Sequence, residues 1–311
     1  MMWELLRCPV CRDRLHKNSG ELVCRGQSCG IRFPVVGGVP ILIHEGSSVF
    51  RIEDIAAGID VIPRERSALG RALGRLLPSL GDSIRSRRNF QLLAELTLER
   101  SPAPRVLVIG GAALGGGMEV LLDHQQIELI ESDVRLDSRT ALVCDAHDIP
   151  FEDETFDAVI VQAVLEHVVD PFRCVEETHR VLKADGLVYA ETPFMQQVHE
   201  GPYDFMRFSP LGHRRLFRRF VELRSGSGGG PGVVLAWSFH YFLRGFASTQ
   251  RGLVIAKVVA RLTAFWLKYV DRFLIDRPGA QDGTWGYYFV GRKSDATLSD
   301  RELLTHYRGI M

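Results

Sequence analysis

RVLVIGGAALGGG (residues 105–117), IELIESDV (127–134), VCDAHDIPFEDETFDAVIVQAVLEHV (143–168) and GLVYAETPF (186–194) decide the fold of this chain. Each is an apolar run closed by glycine, an acid or a small polar residue, and the segments between them are long enough for helices. That alternation predicts an α/β protein with a doubly wound, mainly parallel sheet. In such a sheet, ligand-binding groups collect at the carboxyl ends of the strands.

The first strand, RVLVI, runs into Gly110-Gly111-Ala112-Ala113-Leu114-Gly115-Gly116-Gly117. A glycine-rich turn there lets the backbone approach a ligand that a Cβ would block. The strict G-x-G-x-x-G spacing is not met, so the dinucleotide fingerprint fails. Asp133, with Glu131 as the alternative, ends the second strand, and a carboxylate there suits a pair of adjacent hydroxyls. Asp145-Ala146 closes the third strand with His147 beside it, and Gln162-Ala163 closes the fourth, followed by Leu165-Glu166-His167-Val168.

The order and content of these strand ends resemble the class I S-adenosylmethionine-dependent methyltransferases, of the methyltransferase type 11-like kind. The resemblance implies a seven-stranded Rossmann-like sheet and S-adenosyl-L-methionine as cofactor. It places Gly110, Gly111 and Gly115 in the cofactor loop, Asp133 on the ribose, and Asp145, Ala146 and His147 around the adenine. Gln162 and Ala163 then fall at the methionyl group, with His167 either touching cofactor or capping a helix. Val108 stands where the family often has an acid in strand one, and the glycine loop is stretched.

Near the N-terminus, Cys8-Pro9-Val10-Cys11 and Cys24-Arg25-Gly26-Gln27-Ser28-Cys29 supply four thiolates on two tight turns. That set suits tetrahedral, structural zinc. A segment of roughly 40 residues buries too little apolar surface to fold without such a staple. With FPVVGGVPIL following, residues 5–43 look like the zinc ribbon named for the Trm112 activator of methyltransferases, which implies a protein partner for the ribbon. Cys144 and Cys174 are expected to be packing residues.

The domain layout expected is therefore a zinc ribbon over 1–45, a helical connector over 46–103 and a methyltransferase domain over 104–311. The last carries a substrate-lid insertion at about 193–220 and C-terminal amphipathic helices. In the connector, SIRSRRNFQLLAELTLER reads as a helix. Arg64, Arg66, Arg71, Arg75, Arg85, Arg87 and Arg88 make it locally basic, with Phe90 the aromatic beside this cluster available for stacking on a base.

Lys+Arg and Asp+Glu balance at 38 each among 311 residues, so no global field gathers nucleic acid. No signal-peptide pattern opens the chain and no run of apolar residues has spanning length. Six cysteines without an export signal favour metal or free thiols over disulfides. The expectation is a cytoplasmic protein.

Methyl transfer requires a nucleophile aligned with the sulfonium methyl and, for an alcohol or amine, a proton acceptor. His199, Glu200, Tyr203, Asp204, Arg207 and His213 crowd the segment after strand five. His199 or Asp204 is the expected base and Arg207 the anchor for a substrate oxygen. The competing expectation is an Asp204–Arg207 ion pair across one turn.

Ser225–Gly232 reads as a flexible loop or hinge. In GLVIAKVVARLTAFWLKYVDRFLI, Lys257, Arg261, Lys268 and Arg272 share one flank opposite an apolar face. That face suits core packing or dimerisation, with a peripheral membrane contact as the alternative. The expected activity is methyl transfer to oxygen or nitrogen of a small-molecule or glycan-type acceptor. The rivals are an rRNA base methyltransferase and an inactive methyltransferase-fold scaffold.

Overall fold

A computed structural model describes residues 2–59, 76–81 and 83–310. Arg64, Arg66, Arg71 and Arg75 of the basic cluster lie outside the described residues. The strands are β1 (Leu15–Asn18), β2 (Glu21–Cys24), β3 (Arg32–Val36), β4 (Val39–Leu42), β5 (Arg105–Ile109), β6 (Glu128–Asp133), β7 (Leu142–Cys144), β8 (Phe156–Gln162), β9 (Leu182–Pro193), β10 (Phe220–Ser227) and β11 (Gly286–Lys293). The helices that matter below are α1 (Ser86–Arg100), α2 (Glu119–Leu122), α3 (Pro171–Val181), α4 (Pro210–Leu216), α5 (Pro231–Arg244), α6 (Gln250–Ala264) and α7 (Leu267–Leu274).

The expected seven strands are present in the order β7-β6-β5-β8-β9-β11-β10, parallel from β7 to β9 and completed by antiparallel β11 and β10. Strand order reverses between β5 and β8, where such a sheet opens a crevice for ligand. The central strands read as unbroken apolar runs because both their faces are covered. Leu107, Ile109, Val159 and Val161 enter one core with Cys174, Val175 and Val181 around α3. Val106, Val108, Ala158 and Ile160 enter the other, with Phe90, Leu93 and Ala94 of α1. Phe90 is fully buried against Tyr189, ring centroids 4.5 Å apart, so it offers nothing to a nucleic-acid base.

The ribbon continues the same sheet. β1, β2 and β3 pair antiparallel, and Gly37 and Gly38, with φ of +57° and +88°, turn β3 into β4. β4 then lies parallel to β7, with Ile41 opposite Val143 and Leu42 opposite Cys144. The result is one eleven-stranded sheet. Leu6, Leu22, Phe33 and Leu42 share a core with Leu142, Ile149 and Phe151, which a loosely tethered module would not do. Cys144 and Cys174 are buried packing residues of β7 and α3, as expected.

The glycine-rich segment before α5 is not a hinge. Asp271, fully buried, accepts the N–H groups of Gly230 (3.2 Å), Gly232 (2.7 Å) and Val233 (2.9 Å) and so caps α5. A Cβ at Gly230 or Gly232 would sit 2.4 or 2.7 Å from its Oδ1, so close approach explains both glycines.

α5, α6 and α7 pack around Leu80, Ala236, Ala260 and Ala264. Their other side leaves Phe242, Phe246, Leu262, Trp266 and Phe273 exposed, Phe246 and Phe273 by about four-fifths. Among the described residues no helix is long and apolar enough to cross a membrane.

Candidate active site

The ribbon cysteines converge first. Cys8, Cys11, Cys24 and Cys29 bring their sulfurs within 4.8 Å of one another, with Cys8–Cys29 at 3.8 Å and Cys11–Cys24 at 3.3 Å. Tetrahedral zinc with bonds of about 2.3 Å sets sulfurs roughly 3.8 Å apart, so the four thiols are gathered closely enough to hold a structural zinc. Left-handed φ at Arg12 and Gly30, each just after a pair's second cysteine, bends the chain around the site.

A cleft of about 690 Å³ opens at the carboxyl ends of β5, β6, β7 and β8. Gly110, Asp133, Asp145, Ala146, His147, Ala163 and His167 line it, seven of the ten residues expected at the cofactor. Gly110 has φ of +80°, and a Cβ there would meet Val164 at 2.5 Å, so this is where the loop requires glycine. Asp133 Oδ2 accepts the N–H of Ala112 at 3.0 Å and Oδ1 accepts that of Arg135 at 2.9 Å. Its carboxylate thus ties the glycine loop to β6 and still faces the cleft. Glu131 points elsewhere and is ion-paired with Arg139.

Three expected residues lie off the cleft walls. Gly111 packs on Glu131, which a Cβ would approach to 2.9 Å. Gly115 and Gln162 meet each other instead, and the Gln162 amide donates to Gly116 O and Glu191.

Asp145 Oδ1 accepts the backbone N–H of His147 at 3.0 Å and its Nδ1–H at 2.5 Å, and Oδ2 accepts Ser48 Oγ–H at 2.5 Å. Burial pushes this acid upward, but the hydrogen bond and charge of His147, helped by Ser48, outweigh it and hold Asp145 below the usual carboxylate range. His147 Nε2 accepts the N–H of Asp170, so both ring nitrogens are committed and only the ring presents itself to a ligand.

Val49 and Phe50 also line the cleft. Together with Ser47 and Ser48, which bond Asp148 and Asp145, they bring the segment directly after the ribbon over the cofactor site. Sequence reading missed them, since nothing local in HEGSSVF points to strand ends a hundred residues away.

A second cavity, about 920 Å³, adjoins the first at Ala163 and is lined by Ser83, Glu166, Glu191, His199, Trp237 and Trp285 among others. Ala163 holds a left-handed φ of +54° at this junction, its N–H bonded to Glu191 O. A non-glycine residue in that conformation is strained by a kcal/mol or so, and such strain clusters at functional sites.

His199, Asp204 and Arg207 come together, but in unequal roles. Arg207 is bidentate on Asp204 and donates to Gln196 O, Gln197 O and Met206 O, which exhausts its guanidinium. Asp204 accepts from Arg207 and from His199 N–H. Against the effect of burial, these bonds carry it down to about 2. An acid so held is a poor base, and a guanidinium so engaged is no anchor. The Asp204–Arg207 ion pair across one turn is formed, and both side chains are engaged in holding the loop.

His199 remains in the cavity wall. Its Nδ1 lies 3.3 Å from both Asp204 Oδ2 and Gln197 O, which leaves Nε2 turned toward Glu166 Oε1 at 4.0 Å. His167 donates Nδ1–H to Tyr203 O at 2.7 Å and sets Nε2 3.7 Å from Glu166 Oε1.

Glu166, read from sequence only as part of a helix lead-in, is fully buried with neither carboxylate oxygen hydrogen-bonded. Burial pushes it up to about 8, with Arg207 only partly opposing. Glu200 and Tyr203 fall in the short turn Gly201–Tyr203 and its flank, and His213 is a buried residue of α4 that lines neither cavity.

The sheet order, the crevice at its switch point and the acid-ended strands define a class I methyltransferase architecture fused to a four-cysteine ribbon. Residues 118–190 match the family model described as "Methyltransferase domain", and residues 1–38 match that described as "Trm112p-like protein". The chain thus joins a Trm112-like ribbon to a methyltransferase-type domain.

A UPF0434 protein of Methylobacillus flagellatus is 36% identical over 44 residues, 14% of this chain and 70% of that protein. Among solved structures, the chain is similar to Burkholderia thailandensis 1,6-didemethyltoxoflavin-N1-methyltransferase at 13% identity, TM-score 0.40, covering 90% of this chain and 99% of that one. It is also similar to Haemonchus contortus phosphoethanolamine N-methyltransferase 2, at 17% identity, TM-score 0.40, with 66% and 53% covered.

Proposed function

We propose that this chain transfers a methyl group from S-adenosylmethionine to an oxygen or nitrogen of a small polar acceptor of metabolite or glycan type. The observation that carries this reading is the meeting of two cavities at Ala163, one lined by strand-end acids and the other by titratable groups and tryptophans. S-adenosylmethionine, when bound, supplies an electrophilic methyl group. In this reading Asp133 receives the ribose diol, Asp145 and the Ala146 backbone face the adenine, and Gly110 and Ala163 leave room for the methionyl end.

Trp237 and Trp285 hold the body of the acceptor and exclude water. An acceptor held in the second cavity would meet that methyl group at Ala163, with the Glu166–His167–His199 cluster beside its reacting atom. The ribbon's partner is taken to be the chain's own sheet edge at β7. The balanced charge and the burial of Phe90 count against an RNA acceptor.

The test is product formation. Zinc-loaded protein is incubated with S-adenosylmethionine and a panel of hydroxylated and amino metabolites, with S-adenosylhomocysteine and the methylated product followed by mass spectrometry. Turnover with one acceptor class, lost in Asp133→Asn, supports the reading. Folded protein that releases no S-adenosylhomocysteine with any acceptor or with RNA would favour the scaffold.

A further inference from the structure

We propose that Glu166, His167 and His199 bind one divalent transition-metal cation in the wall between the two cavities, and that the acceptor completes its coordination through a hydroxyl or carboxylate oxygen. The site itself follows from geometry alone, while its role in acceptor binding rests on the methyl-transfer reading.

The ligand atoms of the three residues lie within 4.8 Å of one another. Glu166 Oε1 is 3.7 Å from His167 Nε2 and 4.0 Å from His199 Nε2. Those separations are too long for charge-assisted hydrogen bonds, which run at about 2.7–2.9 Å. They are close to what a shared cation sets: donors each about 2.1 Å from a metal stand roughly 3.0–3.4 Å apart at tetrahedral or octahedral angles. Bringing the two carboxyl–imidazole separations into that range takes a contraction of about 0.3–1 Å. Both carboxyl oxygens of Glu166 are buried without a partner, and a cation between the three side chains would supply one.

The outer contacts are those of metal-ligating imidazoles. His167 Nδ1–H donates to Tyr203 O, and His199 Nδ1 faces Asp204 Oδ2 and Gln197 O. Each contact fixes the ring so that Nε2 carries the lone pair, the usual arrangement behind a metal-bound histidine. Asp204 is in turn clamped by Arg207, which gives this salt bridge a purpose the substrate-anchor reading could not.

Two imidazoles and one carboxylate leave positions open, and Glu166 and His199 line the acceptor cavity on that side. Such a set suits Zn²⁺, Fe²⁺ or Mn²⁺ rather than an all-oxygen cation cage. A hydroxyl entering an open position would become more acidic, and Ala163 lines the same cavity, so the acceptor class narrows to oxygen chelators such as vicinal diols and hydroxy acids.

Co²⁺ titration of the full chain, its ribbon already loaded with zinc, separates the two sites. Cobalt in the nitrogen–oxygen site gives visible d–d absorption without the thiolate charge transfer that ribbon exchange would show. The expected result is one further equivalent of cobalt, with affinity falling more than tenfold in Glu166→Gln and in His199→Gln. Retained ribbon zinc and unchanged circular dichroism certify folding, and half-exposed His199 gives a variant less demanding on the core than Glu166.

No second equivalent in the wild type, or equal binding in both variants, would overturn the site. S-adenosylhomocysteine titration of the same samples keeps the two ideas apart. Homocysteine-adduct binding without a cobalt site sinks the metal alone, and a cobalt site without that binding sinks its role in methyl transfer.

Discussion

Cys24→Ala tests whether ribbon and methyltransferase sheet are one folding unit. The substitution removes one of four thiolates from a site whose zinc contributes on the order of 10–16 kcal/mol in isolated zinc-finger peptides. Without that term the ribbon strands have no independent core and should detach from β7. Ile41, Leu42 and Ile43 are essentially fully buried at this junction. Complete burial of such side chains contributes about 1.5–3 kcal/mol each, so exposing all three removes roughly 5–9 kcal/mol as an upper bound. That is comparable with the whole stability of an ordinary domain, about 5–15 kcal/mol.

At about 2–4 °C per kcal/mol for domains of 150–250 residues, the melting temperature should fall by about 10 °C or more. Differential scanning calorimetry gives the shift, and hydrogen exchange at Leu142–Cys144 shows whether the β7 edge has opened. Release of Ser48 and Phe50 from the cleft should weaken S-adenosylhomocysteine binding in the same sample. A methyltransferase sheet that melts at the wild-type temperature, with β7 still protected after zinc is lost, would refute the continuous-sheet reasoning.

His213, fully buried against Phe217 and Tyr287 with Arg214 and Glu222 nearby, is pushed down to about 3 by burial and by the charge of Arg214. Below about pH 6.5 the unfolded chain takes a proton that the folded chain refuses. Stability should therefore drop by about 1.4 kcal/mol per pH unit from this group as pH falls toward 3. Urea unfolding at several pH values should show a shallower slope for His213→Phe; an equal slope would discount the effect.

Gly110→Ala should cut cofactor affinity at least tenfold, because its φ of +80° and the 2.5 Å approach to Val164 force the loop to move. Calorimetric binding at wild-type strength would show that the loop is free to adapt. Residues 231–275 carry six cations and one acid, the buried Asp271. With Phe246 and Phe273 exposed, the protein should co-sediment with anionic vesicles and release at high salt. Phe246→Ala with Phe273→Ala should abolish this; vesicle binding unaffected by the pair would reject that face.

The sheet was legible because β5 and β8 are buried on both faces and so cannot be mistaken for alternating surface strands. The four ribbon cysteines were legible because metal spacing is local. The pairing of Ile41 with Val143 was not, since it joins strands a hundred residues apart and leaves no local pattern. For the same reason Ser48, Val49 and Phe50 were invisible as cleft residues.

Asp133 and Glu131 lie two residues apart on one strand face, and only the Ala112 and Arg139 contacts tell them apart. The i,i+3 spacing of Asp204 and Arg207 allowed both a clamp and a substrate contact; full use of the guanidinium decided for the clamp. Glu166 was hidden by its apolar neighbours, because a buried acid in a run such as VLEHV reads as helix lead-in until its missing partners are seen.

The most direct test of the central claim is calorimetric titration of zinc-loaded protein with S-adenosylhomocysteine, beside Asp133→Asn and Glu131→Gln. Replacing the carboxylate that meets the ribose should cost about 1.5–3 kcal/mol, roughly ten- to a hundredfold, as for hydrogen bonds to charged groups. Micromolar one-to-one binding, weakened that far in Asp133→Asn and unchanged in Glu131→Gln, is the predicted result. No binding by folded wild-type protein, or equal binding by all three, would contradict the assignment of this cleft to the cofactor.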